Sequence, residues 1–122
     1  MKLEELNIYN TADEISDSIW ELVDGWTYFQ KDTIGKQLVR SADSIIANIA
    51  EGYGRYFFKE NRNFCYYSRG SLLETKNWLG KAFRRKIIEE NSYNNLVSSI
   101  DSLHKSLNAY ISYITSQSDK QK

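Results

Sequence analysis

The stretch Arg40 to Arg55, RSADSIIANIAEGYGR, decides the fold of this chain. Its apolar residues recur every three or four positions, as they do along one side of an α-helix. Leu38 precedes the stretch, and Ala42, Ile45 and Ile49 continue the spacing. Serine and alanine fill several positions between them, and such small side chains let a neighbouring backbone approach closely. The stretch therefore predicts a buried helix that packs tightly against another helix.

The end of this helix is marked by the run Glu51-Gly52-Tyr53-Gly54-Arg55. Two glycines predict a left-handed exit from the helix, and Glu51 has the spacing of an ion pair with Arg55. An anion site built from backbone N–H groups is the alternative, but the carbonyl end of a helix repels anions. We expect the side-chain amide of Asn48 to be structural and to tie this helix to a neighbour, because a buried amide needs hydrogen-bond partners.

Three further amphipathic segments accompany this helix. The first segment has the pattern of an amphipathic helix, because its apolar residues Ile8, Ala12, Ile15 and Ile19 repeat at spacings of three and four. The predicted helices span residues 3–25, 33–53, 57–86 and 92–116, followed by a polar, frayed tail at 117–122. With short connections and no proline, the chain predicts an all-α fold, a single antiparallel up-down-up-down four-helix bundle over residues 1–122.

Local signals refine these helices. Asp32 or Thr33 is a candidate N-cap for the second helix, and Asn91 or Ser92 is one for the fourth. Gly70 lies inside the third helix, where glycine costs about 1 kcal/mol relative to alanine. A close helix crossing would explain its presence, so we expect Gly70 at a contact between helices.

Composition limits the class of protein. No apolar run approaches the roughly 18 residues of a membrane span, and the N-terminal residues lack the apolar core of a signal peptide. Cys65 is the single cysteine, so neither a disulfide nor a thiolate metal cluster is expected within the chain. We expect a cytoplasmic protein that holds no metal or cofactor and has no membrane partner.

The sequence offers little for catalysis. His104 is the single histidine and lies beside the main apolar seam of the fourth helix, where a packing role is the plain interpretation. Cys65 lies on the core side of its helix and resembles an inert small apolar residue. The inward Glu-x-x-His pairs of di-iron bundles are missing. The chain is therefore predicted not to be an enzyme.

A strong charge asymmetry lies beneath a formal net charge of zero. Residues 1–54 carry four basic and ten acidic side chains, whereas residues 55–86 carry nine basic and two acidic ones. The basic segment is also aromatic, with seven Phe and Tyr residues in 53–69. Basic side chains neutralise phosphates and aromatic rings stack on unpaired bases, so the third helix is a candidate surface for RNA or another nucleic acid.

The candidate nucleic-acid residues are Arg55, Lys59, Arg62, Arg69, Lys76, Lys81, Arg84 and Arg85. Arg62, Arg69 and Lys76 are seven residues apart, and replacing them by alanine is expected to weaken a salt-dependent RNA affinity. Two alternatives stay open. The basic helix can be an ordinary solvated face, or it can pair with the acidic first helix within or between subunits.

Surplus apolar residues favour self-association. Val39, Ile46 and Tyr53 form a second stripe on the second helix, and Trp20 stands off the main seam of the first. A monomeric bundle needs one apolar side for each helix, so these four residues are candidates for an oligomer contact. A protein-interaction scaffold with no direct nucleic-acid role is the alternative function.

Two motifs resemble a known family. The run Ser44–Arg55, SIIANIAEGYGR, and the later run Gly70-Ser71-Leu72-Leu73-Glu74 resemble the two markers of the 23S rRNA intervening-sequence proteins, a bacterial four-helix bundle family. The marker positions of structural interest are Ser44, Asn48, Glu51, Gly52, Gly54, Gly70 and Ser71. The resemblance implies a ring-like homopentamer and a connection with ribosomal RNA. A related group, the accessory variability determinants of diversity-generating retroelements, implies that such a ring can also bind a protein partner.

Overall fold

The structure is a computed structural model that describes residues 1–120. A 3₁₀ turn, Leu3–Glu5, precedes the first helix. The four helices are α1 (Asn7–Asp24), α2 (Tyr28–Gln30, a π-helical turn Lys31–Gly35, and Lys36–Tyr53), α3 (Phe58–Arg84) and α4 (Glu90–Lys120). They form the predicted antiparallel four-helix bundle. Both α1 and α3 pack against α2 and α4, so α1 and α3 occupy opposite corners.

The core consists of the apolar positions that the helical periodicity indicates. Each helix contributes side chains at spacings of three and four, which turns one side of the helix inward. Most of these residues are almost fully shielded from solvent, and burying each large one stabilises the fold by about 1.5–3 kcal/mol. The main members are Ile8, Ala12, Ile15, Ile19, Leu38, Ala42, Ile45, Ile49, Cys65, Leu72, Leu79, Ile100, Leu103, Leu107 and Ile114.

Hydroxyl groups fix α3 against α2. Thr75 Oγ1 donates to Ser41 Oγ at 2.9 Å. One turn away, Ser71 Oγ lies 3.0 Å from Ser44 Oγ. Two turns away, Ser68 Oγ donates to the backbone carbonyl of Ile45 at 2.8 Å. Small side chains allow the two helices to approach closely, and the hydroxyls satisfy one another within the contact. This ladder sets the rotation of α3 about its axis, and therefore decides which of its residues face outward.

The second helix begins earlier than predicted. Thr27 accepts a hydrogen bond from the backbone N–H of Gln30, and the Gln30 side chain accepts one from the backbone N–H of Thr27. This capping box starts the helix at Tyr28, so the predicted start at residue 33 and the predicted caps Asp32 and Thr33 are wrong. Thr33 instead donates to the carbonyl of Phe29 inside the helix.

The fourth helix is longer than predicted at both ends. It begins at Glu90, so Asn91 and Ser92 lie within the helix and do not cap it. It also continues to Lys120, and Ser118 is buried. The predicted frayed tail is therefore helical over 117–120, where the polar side chain of Ser118 is shielded from solvent. Residues 121–122 lie outside the described part of the chain.

The glycines have roles other than the predicted ones. Gly54 ends α2 in a right-handed conformation (φ −76°), so the left-handed exit is wrong. Lys86 makes the left-handed turn after α3 instead, with φ 62°. A Cβ atom at Gly70 would meet nothing within 4 Å, so the expected helix crossing at Gly70 is also wrong. The close approach is at Gly52, where a Cβ would lie 2.7 Å from Asn61 Oδ1.

Candidate nucleic-acid interface

The side of α3 that points away from the bundle forms one continuous stripe. Because the hydroxyl ladder turns residues 68, 71 and 75 toward α2, the residues on the opposite side of the helix face solvent. We call these residues the outward stripe: Lys59, Asn63, Tyr66, Gly70, Leu73, Asn77, Lys81 and Arg84. All are exposed except Lys81, which is half-buried. At 1.5 Å per residue the stripe is about 37 Å long.

Three of the predicted cations do not lie on this stripe. Arg62, Arg69 and Lys76 are half-buried on the flank of α3 that faces α4. Lys76 Nζ lies 2.7 Å from a carboxylate oxygen of Asp101, and Arg69 donates to the amide oxygen of Asn108 at 3.0 Å. Arg62 Nε is buried and has no hydrogen-bond partner in the described chain. Lys76 is therefore neutralised within the bundle, whereas Arg69 keeps its charge beside a neutral amide.

The other predicted cations are exposed, apart from the half-buried Lys81. Lys59 stands at the start of the outward stripe, and Lys81, Arg84 and Arg85 stand at its end. None of these four pairs with a carboxylate among residues 1–120. Arg55, just before α3, pairs with Glu51 as predicted. The structure thus places unpaired positive charge at both ends of the stripe.

Aromatic rings accompany these cations. Tyr66 is 41% exposed, and the guanidinium of Arg69 lies 5.2 Å from its ring centre. The guanidinium of Arg55 lies 4.8 Å from the ring centre of Phe64, which meets Tyr67 edge to face. Rings that remain open to solvent next to guanidinium groups provide cation–π and stacking surfaces. Within residues 53–69 the exposed rings are Tyr56, Phe57, Tyr66 and Tyr67.

Acidic side chains are concentrated at the opposite corner. Glu14, Asp17, Glu21 and Asp24 are all exposed on α1. Because α1 and α3 do not adjoin, and the described ion pairs join neither helix to the other, the acidic helix does not neutralise the basic one within a subunit. A single bundle therefore carries negative and positive faces on opposite corners.

The marker residues are mostly structural. Ser44 meets Ser71 across the α2–α3 contact, so the two sequence motifs touch in space. Asn48 donates to the carbonyl and the hydroxyl of Ser44 in its own helix, and that hydroxyl in turn meets Ser71 of α3. The prediction that Asn48 ties two helices directly is wrong, since its side chain folds back by one helical turn.

Of the four candidate oligomer residues, two line a shallow groove between α1 and α2, and Ile46 and Tyr53 lie outside it. Trp20 is 59% exposed and lines the groove, of about 300 Å³, together with Val39. Ile46 is half-buried, and Tyr53 donates its hydroxyl to the backbone carbonyl of Met1. The groove ends at the π-helical turn, where Gly35 packs against Val23. Trp20 is thus a large apolar side chain that remains exposed to solvent at this groove.

Groups with catalytic potential are shielded. Burial raises the pKa of the Cys65 thiol to about 12, so the thiolate is scarce near neutral pH. Burial also raises the pKa of Tyr110, although the hydrogen bond from Asn61 opposes this. His104 is half-buried beside α3. Within residues 1–120 no group of three or more His, Cys, Asp or Glu side chains could hold a metal ion, and no helix there meets the length and hydropathy of a membrane span.

The structural role of one residue, Asn61, was not predicted from the sequence. Asn61 is buried, donates to the hydroxyl of Tyr110 at 3.1 Å and packs against Gly52. Its spacing of four from Cys65 and seven from Ser68 puts it on the inner side of α3. That spacing was the available signal, but a polar side chain on an apolar seam does not reveal its partner on another helix.

The chain belongs to the family described as 23S rRNA-intervening sequence protein, whose pattern matches residues 4–109. Among solved structures, it is similar to the crystal structure of a protein with unknown function from the S23 ribosomal protein family of Bacteroides thetaiotaomicron. That similarity has a TM-score of 0.77 and 23% sequence identity, and covers 85% of this chain and 97% of the other. At this identity the similarity supports the four-helix fold alone. No curated protein matches the sequence.

Proposed function

We propose that this protein is a non-enzymatic, cytoplasmic four-helix bundle that binds RNA through the outward stripe of α3. The supporting observation is that the exposed Lys59, Arg84 and Arg85 and the half-buried Lys81 have no carboxylate partners in the described chain. Unpaired cations along one face attract a polyanion and release its counterions. The family name points to ribosomal RNA as the first RNA to test.

Replacing Lys81, Arg84 and Arg85 by alanine is expected to lower RNA affinity by about 10- to 100-fold near physiological salt. Each lost phosphate contact also removes about 0.7 from the slope of log affinity against log salt for a single strand, so the slope should decrease by about 2. Fluorescence anisotropy with a labelled fragment of 23S rRNA, measured over a salt series, gives both quantities.

A matched control removes the same charge elsewhere. Lys2, Arg40 and Lys105 are exposed and lie on other helices or at the N-terminus. Their triple alanine variant should keep affinity within a few-fold, because these side chains lie off the outward stripe. Equal losses in both triple variants would mean that net charge, and not this face, determines binding, and the proposal would then fail.

We also propose that the protein self-associates through the groove beside Trp20. A large indole that is 59% exposed next to Val39 leaves apolar surface that a second copy can cover. This contact lies on α1 and α2, so it leaves the outward stripe of α3 free. A homo-oligomer of this kind is equally compatible with the alternative function, a scaffold for a protein partner.

Trp20→Ser is expected to shift the particle mass toward the 14.3 kDa of a single chain. The indole contributes little to the bundle core, so far-UV circular dichroism should remain helical. Multi-angle light scattering measures the mass, with Tyr113→Ser as control because Tyr113 is 56% exposed on α4. An unchanged mass for Trp20→Ser, or an equal decrease for the control, would exclude this groove as the contact.

A further inference from the structure

The two adjacent tyrosines of α3 lie in different charge environments. Tyr66 belongs to the outward stripe. Lys59 lies seven residues before it and Leu73 seven residues after it. Tyr67 has the same spacing from Glu60 and Glu74. Both rings are open, at 41% and 59% exposure. A strand of phosphates that passes over α3 is therefore attracted more strongly to the side of Tyr66 than to the side of Tyr67, where Arg55 is already paired with Glu51.

Arg69 strengthens this difference. Its guanidinium lies 5.2 Å from the ring centre of Tyr66, and its hydrogen bond goes to the neutral amide of Asn108. The positive charge is thus held beside the ring without being cancelled by a carboxylate. A ring with a fixed guanidinium neighbour offers a nucleotide two contacts at once, a π-face for the base and a cation for the phosphate.

From this arrangement we propose that the outward stripe binds unpaired RNA, with one base stacked on Tyr66 and its backbone held by Arg69 and Lys59. The inference rests on the proposed RNA-binding function and specifies the ligand as single-stranded. In a duplex the bases are already stacked inside, so a protruding ring on a convex helix gains little from it. An unpaired base can cover the exposed ring, as in other single-strand binders.

The test compares one RNA strand in two states. A labelled strand of about 15 nucleotides of A and C, within the usual range of site sizes, is measured alone and after annealing to its complement. Wild-type protein should bind the free strand more tightly than the duplex. Tyr66→Leu should weaken binding of the free strand by about 5- to 150-fold, the usual effect of losing one stacked base, and should leave duplex binding unchanged.

Two variants serve as controls. Tyr66→Phe keeps the ring and should retain affinity. Tyr67→Leu removes the neighbouring ring and should leave affinity nearly unchanged, because no base is assigned to that ring. Light scattering of each variant should give the wild-type mass, because the ring is not assigned to a contact between copies.

The outcomes separate this inference from the proposed function. If wild-type protein binds neither the strand nor the duplex at low salt, both proposals fail. If it binds RNA but prefers the duplex, or if Tyr66→Leu binds the strand normally, RNA binding stands and the stacking inference is wrong. A loss for Tyr67→Leu equal to that of Tyr66→Leu, or a changed mass for Tyr66→Leu, also overturns the assignment of Tyr66.

Discussion

Leu72→Ala is expected to lower the free energy of unfolding by about 2–5 kcal/mol. The Leu72 side chain is fully buried, and the α2–α3 contact around it is fixed by the hydrogen bond between Ser44 and Ser71. Because the surrounding structure relaxes only partially into the space, the substitution loses both the transfer free energy and packing contacts. Urea denaturation at constant protein concentration measures the effect as a lower midpoint at unchanged slope.

The next residue is the matched control. Leu73 is 51% exposed on the outward stripe, so Leu73→Ala should change the free energy of unfolding by no more than about 0.5 kcal/mol. If both variants lost the same stability, the rotation of α3 in the structure would be incorrect, and the outward stripe would have to be assigned to other residues.

Alanine substitution at Gly52 and at Gly70 is expected to change stability in opposite directions. At Gly52 the new Cβ would lie 2.9 Å from Phe64 Cβ and 3.0 Å from the backbone oxygen of Asn61, neither of which can rotate away. Overpacking of this kind costs about 1–3 kcal/mol. It outweighs the roughly 1 kcal/mol that alanine gains over glycine in a helix, so Gly52→Ala should destabilise the protein.

Gly70→Ala should raise the free energy of unfolding by about 1 kcal/mol, because its Cβ would enter open space on an exposed helix position. Thermal unfolding of the two variants beside wild type gives the signs directly. Stabilisation by Gly52→Ala would show that α2 and α3 are farther apart at this point than the structure places them. A loss of stability at Gly70 would mean that another surface, such as a second copy, covers that position.

These glycines show what a local sequence pattern can predict and what it cannot. The sequence around Gly52 and Gly54 indicates a helix end, and α2 ends there. Which glycine is sterically required depends on Asn61 and Phe64 of another helix, and no spacing within α2 encodes that contact. The predicted crossing at Gly70 was wrong for the same reason, since low helix propensity alone does not identify a neighbour.

The cations illustrate the same limit for the candidate site. The sequence shows that basic residues are concentrated in residues 55–86. It also shows the seven-residue spacing of Arg62, Arg69 and Lys76. That spacing places the three on one side of α3 but does not say what faces them. Asp101 and Asn108 lie on α4, more than twenty residues further along the chain. Asp101 neutralises Lys76, whereas Asn108 only accepts a hydrogen bond from Arg69.

The sequence by itself determined four amphipathic helices, the buried side of each and the bundle that they form, because helical periodicity is a property of neighbouring residues. The tertiary structure alone decided which helices adjoin and which partner each half-buried side chain meets, because these depend on contacts between segments distant in the chain. It therefore decided that Lys76 pairs with Asp101 and that Arg69 meets Asn108, while Lys59 and Tyr66 stay exposed.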